Sequence, residues 1–209
     1  ISTPVGMLGS DDTSVEDTDL QCLYTAPNWY QSHVMDCNGT LIAYGARNMI
    51  QILSLELVPV RMLSSHPKRV TTVCFAEENV LVSGCDGGVV MTWCVDTGAV
   101  LSTLVKSPIP VVTVVFKRGQ LFSGDEKGIV CVWEDFRKVK TFSRVQPFSE
   151  KIITMDCSDH DDGMLLALGY RMGTIAIMSV NGTEMTLMHT LKGHDMDIFR
   201  VSWCKKHFQ

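Results

Sequence analysis

Four side chains near the middle of the chain have types that could form a hydrolytic site. A serine nucleophile needs a histidine base and an acid that orients the histidine, and His66, Ser83 and Asp86 supply these types in one short stretch that ends at Trp93. The same four types can instead form a buried hydrogen-bonded chain that braces two strands. Each polar group needs a partner once it leaves water.

A second copy of this stretch decides between the two chemistries. Ser123 and Trp133 lie forty residues after Ser83 and Trp93. The copy has Glu126 in place of the aspartate, and no histidine opens it. A bracing network tolerates such a loss, whereas a repeated catalytic set without its base would be inactive. We therefore predict that the set is structural and that the protein is not an enzyme.

The elements that carry these residues repeat in the same way. Each copy has a short apolar run, a turn of glycine and acidic residues, and a second apolar run that ends in tryptophan. Such a unit predicts two strands joined by a tight turn. Gly84 and Gly88 have equivalents forty residues later at Gly124 and Gly128. A forty-residue period with a closing tryptophan predicts an all-β fold, the WD40-repeat β-propeller.

The propeller interpretation divides the chain into an N-terminal tail and a series of blades. Residues 1–26 are acidic and rich in Ser, Thr and Gly, which predicts a disordered tail. Residues 27–209 are expected to form a partial propeller whose first innermost strand is Gln31–Cys37. About four blades and the start of a fifth cannot close a ring, so we expect a fragment of a seven-bladed propeller whose remaining blades belong to the parent chain. The predicted blades are 27–64, 66–105, 107–143 and 148–191, with the next blade starting at 192–209.

The net charge of the chain comes from one end. The formal net charge is −5, from 18 basic and 23 acidic residues. The first nineteen residues hold five of the acids and no lysine or arginine, which leaves 18 acids against 18 basic residues. A neutral body argues against a broad phosphate-binding surface, and it permits a local nucleic-acid site.

The eight cysteines show no metal-binding or disulfide pattern. They form no Cys-x-x-Cys pair, and several lie in apolar strand segments, where cysteine packs as a small hydrophobic residue. We predict neither disulfides nor a metal site, and no cofactor. No apolar run approaches the length that spans a bilayer, so no membrane partner is expected.

One face of the predicted propeller gathers side chains suited to single-stranded RNA. The loop that enters each blade and the turn between its second and third strands open on the same face. Trp29 and Tyr30 lie on the segment that enters the first blade, and Arg47 lies in the second-to-third turn of that blade. Arg69 and Asp197 lie in the loops that enter the second and fifth blades. Weaker candidates occupy the turns of the third and fourth blades, at Lys127, Tyr170 and Arg171.

These residue types match the chemistry of an unpaired base. Aromatic rings at a loop mouth stack on bases. An arginine contacts a phosphate or stacks on a base, and a carboxylate accepts a hydrogen bond from a base's exocyclic amine. Trp29 and Tyr30 could equally pack against the edge of the blade, and charged loops on a propeller face could simply be solvated.

Five short motifs are more specific than the general WD pattern. They are Pro27-Asn-Trp-Tyr30, Ala46-Arg47, Ser-Gly-Asp-Glu-Lys-Gly at 123–128, Gly-Tyr-Arg-Met-Gly at 169–173, and Lys-Gly-His-Asp-Met-Asp at 192–197. Together they resemble the gem-associated family of WD-repeat proteins, the large WD-repeat subunits of the survival-of-motor-neuron complex. The resemblance extends over residues 27–204.

The resemblance implies a function and roles for individual residues. It implies tandem seven-bladed propellers that bind small nuclear RNA before spliceosomal assembly, through the uridine-rich Sm site and the methylguanosine cap. Stacking falls to Trp29 and Tyr30, and polar recognition falls to Arg47 and Asp197, where the family favours the longer glutamate. Implied partners are small nuclear RNA and the other subunits of the complex, in the cytoplasm and the nucleus. The alternative is a WD40 protein-interaction scaffold that holds peptides on the same face without binding RNA.

Overall fold

The structure is a computed structural model, and it describes residues 25–28, 31–142, 150–160 and 163–204. Most of these residues lie in β-strands. Within these ranges the chain forms four antiparallel sheets of four strands each, and neighbouring strands in every sheet are consecutive in sequence. Each sheet corresponds to one predicted blade, and we number the blades one to four. The fold class predicted from the forty-residue repeat is therefore confirmed.

Blades one and two contain the first eight strands. Blade one consists of β1 Met35–Cys37, β2 Leu41–Ala46, β3 Met49–Ser54 and β4 Pro59–Ser64. Blade two consists of β5 Val70–Glu77, β6 Val80–Cys85, β7 Val89–Cys94 and β8 Val100–Lys106.

Blades three and four contain the other eight strands. Blade three consists of β9 Val111–Lys117, β10 Gln120–Asp125, β11 Val130–Glu134 and β12 Arg137–Phe142. Blade four consists of β13 Ile152–His160, β14 Gly163–Tyr170, β15 Thr174–Asn181 and β16 Glu184–Lys192. A short 3₁₀ turn at Arg171–Gly173 joins β14 to β15.

The middle strands are buried on both faces because the blades stack against one another. In β6 every residue from Leu81 to Cys85 is buried, and in β7 every residue from Val89 to Trp93 is buried. Strands covered on both sides contain continuous apolar runs without alternating polar residues. Outer strands differ, and β16 is largely exposed along its length.

The repeated glycine of the Ser-Gly pair lies where one blade meets the next. A Cβ atom on Gly84 would lie 2.6 Å from Val111 Cγ1, on the first strand of the following blade. A Cβ atom on Gly45 would lie 2.7 Å from Val70 Cγ1, and a Cβ atom on Gly169 would lie 2.8 Å from Ile198 Cγ2. These distances are too short for any side chain, so blade-to-blade packing requires glycine at these three positions. At Gly124, the forty-residue copy of Gly84, a Cβ would lie 3.2 Å from Met155 Sδ of the next blade, a tight but less restrictive contact.

The first innermost strand is shorter than the sequence predicted. The expected strand Gln31–Cys37 is regular only over β1, and His33 forms an isolated parallel bridge with Thr72 of blade two. The peptide N–H of Val73 donates to the carbonyl of His33 at 2.9 Å. This part of the segment therefore pairs with the neighbouring blade instead of extending β1.

The segment after β16 lies on blade four as an innermost strand of a next blade would. Trp203 N donates to Asp156 Oδ2 at 2.7 Å, and Phe75 N donates in the same way to Asp36 Oδ2 at 2.8 Å between blades two and one. Residues 193–204 carry no regular strand, although their contacts repeat those of a strand that opens a blade. No helix in the described ranges is long and apolar enough to cross a membrane.

Candidate nucleic-acid interface

The predicted brace of blade two exists, with three of its four members. His66 Nε2 lies 2.6 Å from Ser83 Oγ, and Trp93 Nε1 donates to the same oxygen at 2.7 Å. All three side chains are buried. Burial lowers the pKa of His66 to about 4, so the imidazole is neutral near pH 7.

Asp86 does not belong to this brace, which corrects the expected four-membered chain. Its Oδ2 accepts hydrogen bonds from Arg69 Nε at 2.9 Å and from Arg69 Nη2 at 2.6 Å. Nδ1 of His66 is buried and has no hydrogen-bond partner in the described part of the chain. The guanidinium reaches the carboxylate from the loop that enters the blade, so the acid holds that loop and does not orient the histidine.

Blade three keeps the serine–tryptophan contact. Trp133 Nε1 donates to Ser123 Oγ at 3.2 Å. Ser83 is 0% exposed, so its hydroxyl cannot reach a substrate, and the histidine beside it has no acid on its second nitrogen. The geometry is that of a bracing contact.

Burial also raises the pKa of the Cys157 thiol to about 12, which suits cysteine as a small hydrophobic residue.

The loops that enter the blades and the turns after their second strands meet on one side of the sheets, which we call the loop face. In blades two, three and four, a residue of the turn after the second strand donates its N–H to the carbonyl of the residue directly before the innermost strand. The pairs are Asp86 to Arg69 at 2.9 Å, Glu126 to Pro110 at 3.1 Å and Arg171 to Lys151 at 3.0 Å. Because these bonds repeat, the side chains at the same positions lie in one layer.

Charges on the loop face are mostly paired. Arg69 pairs with Asp86 at 2.6 Å, and Lys151 pairs with Glu126. Arg171 Nε lies 3.9 Å from Asp197 Oδ1, and that oxygen also accepts from the N–H of Met172 at 3.3 Å. The predicted RNA contacts Arg69 and Asp197 therefore lie on the expected face, and each already has an oppositely charged neighbour.

Arg47 lacks an acidic partner among the described residues of the loop face, as do the exposed lysines Lys68 and Lys127. It is exposed, and it forms no ion pair with any residue that the structure describes. Its backbone has φ of 54°, in the left-handed region that residues other than glycine rarely adopt. The hairpin turn Arg47-Asn48 between Ala46 and Met49 is tight, and this geometry presents the arginine at its tip.

Asn28 holds Arg47 in this conformation, and sequence reasoning had assigned it no role. Its Oδ1 accepts from Arg47 N at 2.8 Å, and its Nδ2 donates to the carbonyls of Arg47 at 3.0 Å and Val70 at 2.8 Å. Its own N–H donates to the Gly45 carbonyl at 2.9 Å. The signal available in the sequence was an asparagine beside a blade start, a residue type that hydrogen-bonds to backbone.

Trp29 and Tyr30 lie outside the described residues. They follow Asn28 directly in the chain, and Gln31 N donates to the Asn28 carbonyl at 3.3 Å. Asn28 and Gln31, the described residues on either side of them, are therefore joined by a hydrogen bond. The roles of Trp29 and Tyr30 stay predictions.

The segment that carries Asp197 contacts the segment that enters blade one. Arg200 Nη1 donates to the Ser32 carbonyl at 2.9 Å, and His33 Nε2 lies 2.6 Å from Thr154 Oγ1. Asp197 lies in an open cleft of about 500 Å³ along residues 193–200, where Met196 is 76% exposed. The fold therefore brings the segment after β16 against the segment that enters blade one.

The weaker candidates separate into exposed and buried residues. Lys127 is exposed in the β10–β11 turn, and Arg171 is exposed in the β14–β15 turn. Tyr170 is 0% exposed and lies in the core between blades three and four, which corrects its placement on the surface. Among the described residues, no three His, Cys, Asp or Glu side chains converge as metal ligands.

Comparison with known proteins supports the class of fold. The family model for the WD domain, G-beta repeat, matches residues 57–94, which extend from blade one into the third strand of blade two. The crystal structure of the computationally designed Ika8 protein superposes with a TM-score of 0.66 at 19% identity, over 82% of this chain and 52% of that one. The chain is a WD40-repeat β-propeller protein.

Two curated relatives place the chain more closely. It is 27% identical over 199 residues to human Gem-associated protein 5 and 29% identical over 205 residues to the mouse protein. Each match covers 86% of this chain. The chain is thus a diverged homologue of Gem-associated protein 5, and it spans 13% of the length of these relatives.

Proposed function

We propose that this chain is part of a non-catalytic RNA-binding propeller that recognises small nuclear RNA for assembly of spliceosomal ribonucleoproteins. The Sm site is the proposed target of the loop face, and the cap is a further element of the same RNA. Similarity to Gem-associated protein 5 supports the proposal. On this proposal the partners are small nuclear RNA, the other subunits of the survival-of-motor-neuron complex and the remaining blades of the parent chain, in the cytoplasm and the nucleus.

The observation that carries the proposal is the environment of Arg47. It is an exposed arginine on a loop face where the other described arginines and Lys151 have acidic neighbours. An arginine without such a neighbour retains its hydrogen-bond donors for a phosphate or a base. Its backbone is joined through Asn28 to the segment that continues into Trp29 and Tyr30. A cation and two aromatic rings are the side-chain types that suit single-stranded RNA.

In the proposed complex, unpaired bases stack on Trp29 and Tyr30 while Arg47 contacts a phosphate or a base edge. Asp197 accepts a hydrogen bond from an exocyclic amine. The separation of 3.9 Å between Asp197 and Arg171 exceeds hydrogen-bond length, so the pair can open at small cost. Arg171 then faces the RNA beside Asp197, and Lys127 and Arg69 lie further along the loop face.

Binding of the full-length protein to an Sm-site oligonucleotide tests the proposal, with a scrambled oligonucleotide as the reference. Stacking contributes about 1–3 kcal/mol per base, so Trp29→Ala should weaken Sm-site binding about tenfold or more. Trp29→Phe retains a ring and should lose less. Arg118→Ala, which removes an exposed arginine from the opposite face, should leave Sm-site binding unchanged. Equal affinity of wild type for both oligonucleotides would refute the proposal.

Charge pairing also favours a second candidate, a scaffold that holds peptides on the loop face. Paired charges give this face little net positive potential, which suits a protein partner as well as RNA. Salt dependence separates the two candidates. An RNA complex weakens steeply as salt is added because counterions are released on binding, whereas an apolar peptide contact does not.

A further inference from the structure

We infer that Asn28 is the positioning residue of the RNA site, because its carboxamide sets the backbone from which Arg47 reaches the ligand. This inference rests on the proposed function and adds a residue to it. Asn28 is 8% exposed, so its carboxamide is not itself a surface for RNA. Its effect on binding must pass through the residues that it holds.

A comparison of the blades shows what the carboxamide replaces. In blades two, three and four, the N–H of the turn residue donates to a backbone carbonyl of the strand-opening segment. In blade one the equivalent donor, Arg47 N, instead donates to the side-chain Oδ1 of Asn28. The Asn28 side chain therefore does for blade one what the main chain does in the other blades.

Both donors and the acceptor oxygen of the Asn28 amide group are hydrogen-bonded. Both hydrogens of Nδ2 point to carbonyl oxygens, those of Arg47 and Val70, and Oδ1 accepts from Arg47. Aspartate has the same shape but no donor, and it would place a carboxylate against two carbonyl oxygens. Alanine would remove all three hydrogen bonds, and the Arg47 N–H would lose its acceptor, while the Arg47 carbonyl would still accept from the Val70 N–H. No other residue type of this size supplies two donors and an acceptor.

These bonds matter for Arg47 because its turn lacks a glycine at the left-handed position. In blades two and three the positive φ falls on glycines, Gly88 and Gly128, and in blade four it falls on Met172 and Gly173. In blade one the positive φ falls on Arg47, and this backbone region is energetically costly for a residue with a Cβ atom. The clamp from Asn28 on both the N–H and the carbonyl of Arg47 holds the residue in that region, and so fixes the direction of its side chain.

A double-mutant cycle in the full-length protein tests the inference with Sm-site RNA. Asn28→Asp should weaken binding by about tenfold, the scale of one lost charge-assisted contact. In the Arg47→Ala background the same change should weaken binding by less than about twofold, because the residue that it positions is gone. An Asn28→Asp effect that persists undiminished beside Arg47→Ala would overturn the inference, as would wild-type affinity of the single variant.

Asn38 provides the matched control. Its Oδ1 accepts three hydrogen bonds within the β1–β2 turn, on the opposite side of blade one, so Asn38→Ala perturbs a turn without touching the site. It should leave RNA affinity unchanged. An equal loss of affinity in Asn38→Ala would show that damage to the blade, and not positioning of Arg47, explains the Asn28 variant.

Amide hydrogen exchange distinguishes failure of this inference from failure of the proposed function. In Asn28→Ala, which removes the oxygen that accepts from the Arg47 N–H, the Arg47 amide should exchange at least about tenfold faster, while that of Ile52 in β3 stays protected. Faster Arg47 exchange in a protein that does not prefer Sm-site RNA would refute RNA recognition and, with it, the binding role of Asn28, leaving only a structural clamp. Unchanged Arg47 exchange would overturn the clamp directly.

Discussion

His66 Nε2 lies 2.6 Å from Ser83 Oγ, in a buried contact between the loop that enters blade two and the strand β6. The serine oxygen also accepts from Trp93, so one hydroxyl joins three segments of the blade. Removing a buried partner costs more than the bond itself contributes, because the remaining groups stay desolvated and unsatisfied. We therefore expect a large loss of stability when this contact is removed.

Ser83→Ala should lower the free energy of unfolding by about 2–3 kcal/mol, since it leaves the Trp93 N–H without an acceptor and removes the partner of His66. Ser123→Ala removes a single, longer bond to Trp133, at 3.2 Å, and should cost about 1 kcal/mol. Urea unfolding of both variants checks the ranking. Equal losses would show that the histidine contact adds nothing.

The buried histidines predict a loss of stability in mild acid. The folded-state pKa values of His66 and His33 are both lowered to about 4 from an ordinary value of 6.5, mainly by burial. Above pH 6.5 neither state binds the proton, so the full stability is present. Between pH 6.5 and 4 the unfolded chain takes up protons that the folded chain excludes, and each histidine should cost about 1 kcal/mol per pH unit.

His66→Gln is the variant that isolates this effect. Its free energy of unfolding should fall less steeply between pH 6 and 4.5 than that of the wild type. The difference between the two slopes should correspond to the uptake of about one proton on unfolding. His33→Gln should remove a similar slope, and the double variant should remove both, because the residues lie in different blades. Identical pH slopes in the wild type and both single variants would contradict the lowered histidine pKa values.

The Ser-Gly repeat predicts sensitivity at the blade interfaces. Gly84→Ala places a Cβ 2.6 Å from Val111 Cγ1 and 2.8 Å from Thr72 Cγ2, so the two blades must separate slightly. Such overpacking should destabilise the protein by about 1–3 kcal/mol in thermal or chemical unfolding. Gly193→Ala meets no atom within 4 Å and should be close to neutral. A neutral Gly84→Ala would show that the interface yields without cost.

Much of this fold follows from spacing that is visible in the sequence. Two blades repeat the same serine–tryptophan contact, which explains the forty-residue interval from Ser83 and Trp93 to Ser123 and Trp133. The glycine beside each serine lies at a contact with the next blade. These features are local to one repeat or to neighbouring repeats. Periodicity therefore predicts them without knowledge of the full three-dimensional arrangement.

The parts that sequence did not predict depend on competition between partners. Both His66 and Arg69 precede β5, and residue types alone do not show that Asp86 binds the arginine. Nor does spacing show that Tyr170, one residue before an exposed arginine, turns into the core. Asn28 acts through three backbone contacts from distant segments, which no motif within one blade contains.

The paired charges on the loop face predict that removing an acid strengthens RNA binding. Asp86→Asn keeps the shape of the side chain but removes the negative charge beside the Arg69 guanidinium, which now donates twice to that carboxylate. Stability should change by less than about 1 kcal/mol, because exposed ion pairs contribute little. Binding of Sm-site RNA should tighten, and the plot of log affinity against log salt should steepen by about 0.7, the value for one further phosphate contact on a single strand.

Asp96→Asn is the control for this last prediction, since it makes the same change in net charge in the β7–β8 turn, on the opposite face of blade two. It should leave the salt slope as in the wild type. If both variants steepen the slope equally, the effect belongs to total charge and the loop face is not the RNA site. If only Asp86→Asn does so, Arg69 lies against the RNA, because counterion release registers only cations that neutralise phosphates.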